Sequence, residues 1–233
     1  MARLTILAGG SAANPFTLGH YILLNGLRNA KRADQIIWIP TGERNDKKLI
    51  TSQHRETMTK LGIPNEWTLT SPQITIDFSD VHSDNTPTFL WLRKLQFQYP
   101  GAEIRWFTGV DSVAPRREYD GKCEIEARWI QGEELMKQPF LILPREGYPH
   151  PGSLLLPENF QVLDIQPSDI SSTMVRELIK NGEPFEHLVP EKIAQYIKEH
   201  KLYGYQTNGK EMPGVSSFGE TYSRTREQER YWL

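Results

Sequence analysis

Six short apolar runs, most of them followed by an amphipathic or charged segment, limit what this chain can fold into more than any other feature. The runs are Leu4–Ala8, Gln35–Pro40, Thr68–Ile76, Ile104–Gly109, Phe140–Pro144 and Gln161–Ile165. Between them lie Tyr21–Ala30, Ser52–Leu61, Thr88–Tyr99 and a charged stretch reaching Met136. Alternation of this kind predicts an α/β fold, a Rossmann-like doubly wound parallel sheet with helices on both faces. Ile36-Ile37-Trp38-Ile39 shows no polar alternation, as expected of a strand buried on both sides. Ligands of such sheets bind beyond the strand C-termini, where the strand order reverses. Gly9-Gly10, Thr41-Gly42 and Gly109-Val110-Asp111 each follow a run and are expected to gather at that edge.

After the last run the spacing predicts a small helical part. Ser171 or Ser172 can cap a helix from about Thr173 to Lys180, with Gly182 placed to end it. A second helix starts near Pro190, with Ile193, Tyr196 and Ile197 on one face. From about residue 204 the composition turns to Gly, Ser, Thr, Glu and Arg. The expected organisation is therefore one domain over residues 1–203 and a polar, flexible extension over 204–233.

A net charge of −2 gives no general polyanion-binding surface, so a long nucleic acid is not an expected partner. No stretch approaches the roughly 20 apolar residues of a membrane span, and the N-terminus does not read as a signal peptide. The expectation is a cytoplasmic protein, with homo-oligomerisation left open. The only cysteine is Cys123, which excludes an internal disulfide and a cysteine-rich zinc site and reads as a structural residue.

Two strings carry chemistry. The first, Leu7-Ala8-Gly9-Gly10-Ser11-Ala12-Ala13-Asn14-Pro15-Phe16-Thr17-Leu18-Gly19-His20, reads as a strand, a glycine turn and a histidine at a helix mouth. It has neither the G-x-G-x-x-G nor the P-loop spacing. The second, Ile170-Ser171-Ser172-Thr173-Met174-Val175-Arg176, opens another helix. Helix N-termini offer backbone N–H donors and about half a positive charge to phosphate, so the pair points to a nucleotide.

These strings resemble the H-x-G-H nucleotidyltransferase superfamily and, within it, the nicotinate/nicotinamide mononucleotide adenylyltransferases. Thr86-Pro87-Thr88-Phe89-Leu90-Trp91-Leu92, Trp106 to Ser112, Phe140 to Tyr148 and Leu188 to Ile197 resemble that family's blocks in order, so the likeness covers about residues 3 to 203. The sequence departs from the pattern in three places. Thr17 stands where the signature has its first histidine, as in an N-P-x-T-x-x-H version of eukaryotic members. Ala12-Ala13 replaces a single aromatic, and Arg116 to Glu124 resembles an insertion.

The resemblance implies attack of a pyridine mononucleotide's phosphate on the α-phosphorus of ATP, with magnesium accompanying the ATP and pyrophosphate leaving. It implies catalytic roles for His20, Thr17, Lys47 and Arg176, with Thr17 and, if protonated, His20 contacting the transferred phosphoryl group. ATP would lie on Gly9, Gly10, Ser11, Gly19, His20, Gly109, Asp111, Ile170, Ser171, Ser172, Thr173 and Arg176. The mononucleotide would meet Asn14, Lys48, Arg55, Thr86, Thr88, Trp129, which matches a tryptophan stacking on the pyridine ring, and Arg145. Two alternatives stand beside it. One is another transferase of the superfamily, with a pantetheine phosphate, flavin or cytidylyl acceptor; the other is a catalytically degenerate nucleotide-binding module.

Overall fold

A computed structural model describes residues 3–43 and 48–206. Six parallel strands form one sheet: β1 Thr5–Gly9, β2 Gln35–Trp38, β3 Gln73–Ile76, β4 Glu103–Gly109, β5 Phe140–Leu143 and β6 Phe160–Val162, in spatial order β3-β2-β1-β4-β5-β6. The helices are α1 Leu18–Asn29, α2 Ser52–Gly62, α3 Thr88–Gln98, α4 Glu124–Arg128, α5 Gly132–Leu135, α6 Ser172–Asn181 and α7 Glu191–Glu199. This is the expected Rossmann-like sheet. Its order reverses between β1 and β4, so the crevice lies outside the C-terminal ends of those two strands.

Strand alternation divides the core into two layers. Leu7, Ile36 and Trp38 pack with Leu24 and Leu27 of α1, Met58 of α2, Val175 and Ile179 of α6, and Ile193 and Ile197 of α7. Ile6, Ala8, Ile37 and Ile39 pack on the other face with Trp91, Leu92 and Leu95 of α3, Ile125 of α4 and Leu135 of α5. Successive residues of a strand thus serve opposite layers, so a two-sided sheet needs unbroken apolar runs. Burial of each such side chain contributes roughly 1.5–3 kcal/mol.

Some expected boundaries shift. The Thr68–Ile76 run is a strand only over Gln73–Ile76, because Asn65–Thr68 forms a 3₁₀ turn that buries Trp67 and leaves Leu69 exposed. The strand at the Gln161–Ile165 run is Phe160–Val162, one residue earlier at its start and three shorter at its end. The charged stretch before Met136 holds the short helices α4 and α5. Helix α1 starts three residues earlier than its apolar periodicity indicates, for a reason that lies in the site. Ser171 caps α6, its hydroxyl accepting from Met174 N–H at 3.1 Å, and Gly182 ends that helix in the left-handed region at φ 71°. Cys123 is buried with its Sγ beside Met136 Sδ.

At the expected domain end, Tyr205 still packs against Phe185, and residues 207–233 of the expected extension lie outside the described residues. No helix among the described residues is long and apolar enough to cross a membrane.

Gly10 shows how tightly the strand ends converge. A Cβ there would lie 1.7 Å from the Ile39 carbonyl oxygen, a backbone atom that cannot swing away. Gly10→Ala is therefore expected to destabilise the protein by about 3 kcal/mol or more. A denaturant midpoint unchanged from the parent would contradict this close approach.

Candidate active site

The first motif leaves β1 at Gly9 and enters α1 through a cap built by its own side chains. Thr17, the N-cap, and His20, the third helical residue, form a capping box. Thr17 N–H donates to His20 Nδ1 at 2.9 Å, and the Thr17 hydroxyl lies 2.9 Å from the same nitrogen. A backbone N–H can only donate, so Nδ1 is the acceptor and the ring proton sits on Nε2. Nε2 then donates to Ser11 Oγ at 2.8 Å, which also accepts from Ala13 N–H at 3.1 Å. The hydroxyl proton of Ser11 is left to point away from these two donors. This cap is why α1 begins at Leu18.

The cap bears on the roles of two residues. His20, expected to contact the phosphoryl group if protonated, is packed against Phe16 and edge-on to Trp38, and desolvation lowers its pKa from 6.5 to about 4, which leaves the ring neutral. Thr17 was expected to contact the transferred phosphoryl group. Its side chain is fully buried and its hydroxyl is directed at His20, so it holds the ring rather than reaching into the crevice.

The second motif docks on the first. The Ser172 hydroxyl donates to the Pro15 carbonyl at 2.8 Å, and Arg176 Nη1 donates to the Asn14 carbonyl at 2.7 Å. Arg176 Nη2 donates to Thr173 Oγ1 at 3.1 Å. Gly19 makes the docking sterically possible: a Cβ on it would come 2.5 Å from the Ile170 carbonyl oxygen. The N-terminal ends of α1 and α6 are thereby juxtaposed, and the N–H groups of Ser172 and Thr173 have no acceptor among the described residues. Two helix N-termini and one guanidinium around a glycine turn offer donors of the kind an anion needs, without a charged histidine.

Across the crevice, at the ends of β4 and β5, Asp111 pairs with exposed Arg145, and the Asp111 carbonyl accepts from Arg116 at 2.9 Å. Asp111 Oδ1 is sealed and has no partner. A Cβ on Gly109 would come 2.3 Å from that oxygen, so Gly109 leaves room for the carboxylate. Thr86 donates its hydroxyl and N–H to buried Asp80 at 2.7 and 2.9 Å, and Trp91 Nε1 donates to Asp80 at 2.8 Å. Thr88 opens α3, and Trp129, half-buried, follows α4 and packs on the second core layer. Lys48 is exposed after β2, and Lys47 lies outside the described residues.

Arg55, expected from the sequence to meet the mononucleotide, has a fully buried side chain. Its guanidinium bonds the carbonyls of Thr41 and Val81 and the carboxylate of Glu43. It therefore ties the loop after β2 to the loop after β3 and presents no face to a ligand. Asp80 and Tyr203, whose hydroxyl donates to Asn14 Oδ1 at 3.0 Å, belong to the site's support and carry no periodicity signal in the sequence.

Comparisons with known proteins agree with this geometry. The cytidylyltransferase-like family model matches residues 7–178. The probable nicotinate-nucleotide adenylyltransferase of Dehalococcoides mccartyi is 31% identical over 207 residues, covering 83% of this chain and 94% of the relative. The enzyme of the same name from Oceanobacillus iheyensis is 28% identical over 203 residues, covering 85% and 96%. Among solved structures, the Plasmodium falciparum nicotinic acid mononucleotide adenylyltransferase complexed with NaAD superposes with a TM-score of 0.71 at 21% identity, over 88% of this chain and 99% of that one. That likeness speaks to the fold.

The neutral His20 generates a pH prediction. Its folded pKa lies below the free value, so the stability it contributes is fully present above pH 6.5 and is lost as pH falls towards 4. Because the ring keeps some solvent contact, the loss is expected to be on the order of 2 kcal/mol rather than the full linkage value. Gln at this position preserves a capping box without titrating. Chemical denaturation of the parent and of His20→Gln at pH 7 and pH 4.5 should show the parent losing more stability; equal losses would mean that His20 is charged in the folded protein.

Proposed function

The chain belongs to the cytidylyltransferase-like family, and from that premise we propose that it transfers the adenylyl group of ATP to nicotinate mononucleotide, releasing pyrophosphate and forming the dinucleotide used in NAD biosynthesis. The observation that carries this reading is the docking of the glycine turn after β1 on the start of α6 through Ser172, Arg176 and Gly19. The names of the relatives aligned over most of the chain support the pyridine mononucleotide as acceptor.

In this reading a phosphate oxygen of the mononucleotide attacks the α-phosphorus in line, and the bond from that phosphorus to the pyrophosphate oxygen breaks. No enzyme-bound covalent intermediate is needed, and the protein's task is to position two anions and offset their charge. Magnesium arrives with ATP as part of the substrate, held by phosphate oxygens and water.

Gly9 and Gly10 pack against the backbone of Phe107 and Ile39 and so shape the turn that faces the phosphates, and the Ser11 hydroxyl, whose acceptor sites are filled by His20 and Ala13, donates to a phosphoryl oxygen. His20 is a neutral positioning group, with Thr17 behind it. The N–H groups of Ser172 and Thr173, with Arg176, take the β- and γ-phosphates, while Ile170 and Ser171 hold that turn. Lys48, exposed after β2, or its sequence neighbour Lys47 supplies a further cation. Gly109 and Asp111 face the ribose. Thr86, Thr88, Trp129 and Arg145 bound the pyridine end, and Arg55 fixes the loops behind them.

Purified protein with ATP, magnesium and either nicotinate or nicotinamide mononucleotide should form dinucleotide and pyrophosphate, faster with the nicotinate substrate. Arg176→Ala should raise the KM for ATP about tenfold or more with a smaller change for the mononucleotide, because one charged hydrogen-bonding partner of the triphosphate is lost. ATP binding without pyrophosphate release from any mononucleotide would overturn the reading.

A further inference from the structure

Beyond the two motifs, the described chain ends in a turn that reaches back into the site. Leu202–Gly204 forms a 3₁₀ turn after α7 in which Lys201 and Tyr203 adopt left-handed backbone at φ 49° and 58°. That region is sterically unfavourable for residues with a Cβ, and such residues concentrate where the surrounding structure over-determines a side chain's place. Leu202 anchors the turn in the core, and the Tyr203 ring packs against the same layer as α6 and α7. The strained backbone therefore delivers one polar group, the Tyr203 hydroxyl, to a single atom, Asn14 Oδ1, at 3.0 Å.

Asn14 is where the phosphate turn and α6 meet. It is 3% exposed, and its carbonyl accepts from Arg176 at 2.7 Å. Its amide presents an acceptor on one side and a two-proton donor on the other, and the two ends look alike sterically. A hydroxyl donating to Oδ1 selects one orientation. Nδ2 then makes no hydrogen bond among the described residues and is not sealed from solvent, so it is left with a proton to donate. Burial drives the phenol pKa well above its ordinary value despite the nearby guanidinium groups of Arg176 and Arg55, so the hydroxyl keeps its proton and stays a donor.

We propose that Tyr203 is a positioning residue for the reaction: its hydroxyl locks the Asn14 amide so that Nδ2 donates into the crevice, towards the phosphate groups gathered there, while the Asn14 carbonyl holds Arg176. This deepens the adenylyltransferase reading and rests on it for the identity of the phosphates. The C-terminal turn, remote in sequence from both motifs, thereby becomes part of the anion site. Tyr203 touches no reacting atom and acts only through Asn14.

The test is a double-mutant cycle with Tyr203→Phe, Asn14→Leu and the pair, all in the full chain. It reads kcat and KM for both substrates, the affinity for a non-hydrolysable ATP analogue by calorimetry, and the thermal midpoint. Tyr203→Phe keeps the ring and deletes one hydrogen bond, so kcat/KM for ATP and analogue affinity should fall roughly 3- to 10-fold with the midpoint nearly unchanged. In the Asn14→Leu background, itself at least as impaired, the same change should have no further effect, because its target is gone. Analogue affinity and kcat/KM within twofold of the parent in Tyr203→Phe, or an equal loss in both backgrounds, would overturn the proposal. A parent that forms no dinucleotide but loses analogue affinity in Tyr203→Phe would refute the acceptor assignment and leave the positioning role standing. Should Tyr203→Phe unfold, analogue affinity of Asn14→Leu against the parent still decides, since an unchanged value would remove the donor on which the proposal depends.

Discussion

The close approach of Gly19 to the Ile170 carbonyl is the constraint on which this architecture depends. Residues far apart in sequence meet there with room for only a hydrogen on the glycine, and every functional contact between the two motifs lies within a turn of that point. Ser172 reaches Pro15, Arg176 reaches Asn14, and the start of α6 faces the start of α1. A parallel sheet alone would place the two loops at one edge. It would not bring two helix N-termini close enough to share one set of phosphates.

The electrostatics follow from the same packing. A histidine at a phosphate site invites a charged reading, but the N-cap geometry of α1 uses its Nδ1 as an acceptor, and the aromatic surroundings withdraw it from water. Positive potential comes instead from the helix N-termini and from the Arg176 guanidinium. The histidine transmits position: it fixes Ser11, whose hydroxyl proton is left for a ligand. Exchange of histidine for threonine at position 17 of the signature is tolerated in this scheme, because a buried hydroxyl suffices to hold the ring.

Much of this was legible in the sequence, and the part that was not has a common physical cause. Ile36-Ile37-Trp38-Ile39 announces a two-sided strand because burial on both faces removes polar alternation, and Ser171 and Gly182 announce the ends of α6 because caps are local chemistry. The surroundings of Arg55 were not legible. Its partners are the carbonyls of Thr41 and Val81, on two other loops, and nothing beside Arg55 in sequence signals them. Thr68–Ile76 reads as one run, yet the 3₁₀ turn Asn65–Thr68, which buries Trp67 against Tyr21, delays the strand to Gln73. The role of Tyr203 is equally non-local: a turn that looks like the end of a helix acquires its meaning only when the chain returns to Asn14.

The most direct measurement of the central claim is the affinity of Gly19→Ala for a non-hydrolysable ATP analogue, by calorimetry, beside its thermal midpoint. The added methyl must push α1 away from Ile170, so the account predicts an affinity lowered about tenfold or more in a protein that still folds. An affinity equal to that of the parent would show that the two motifs need not meet for the triphosphate to bind, and would contradict the account.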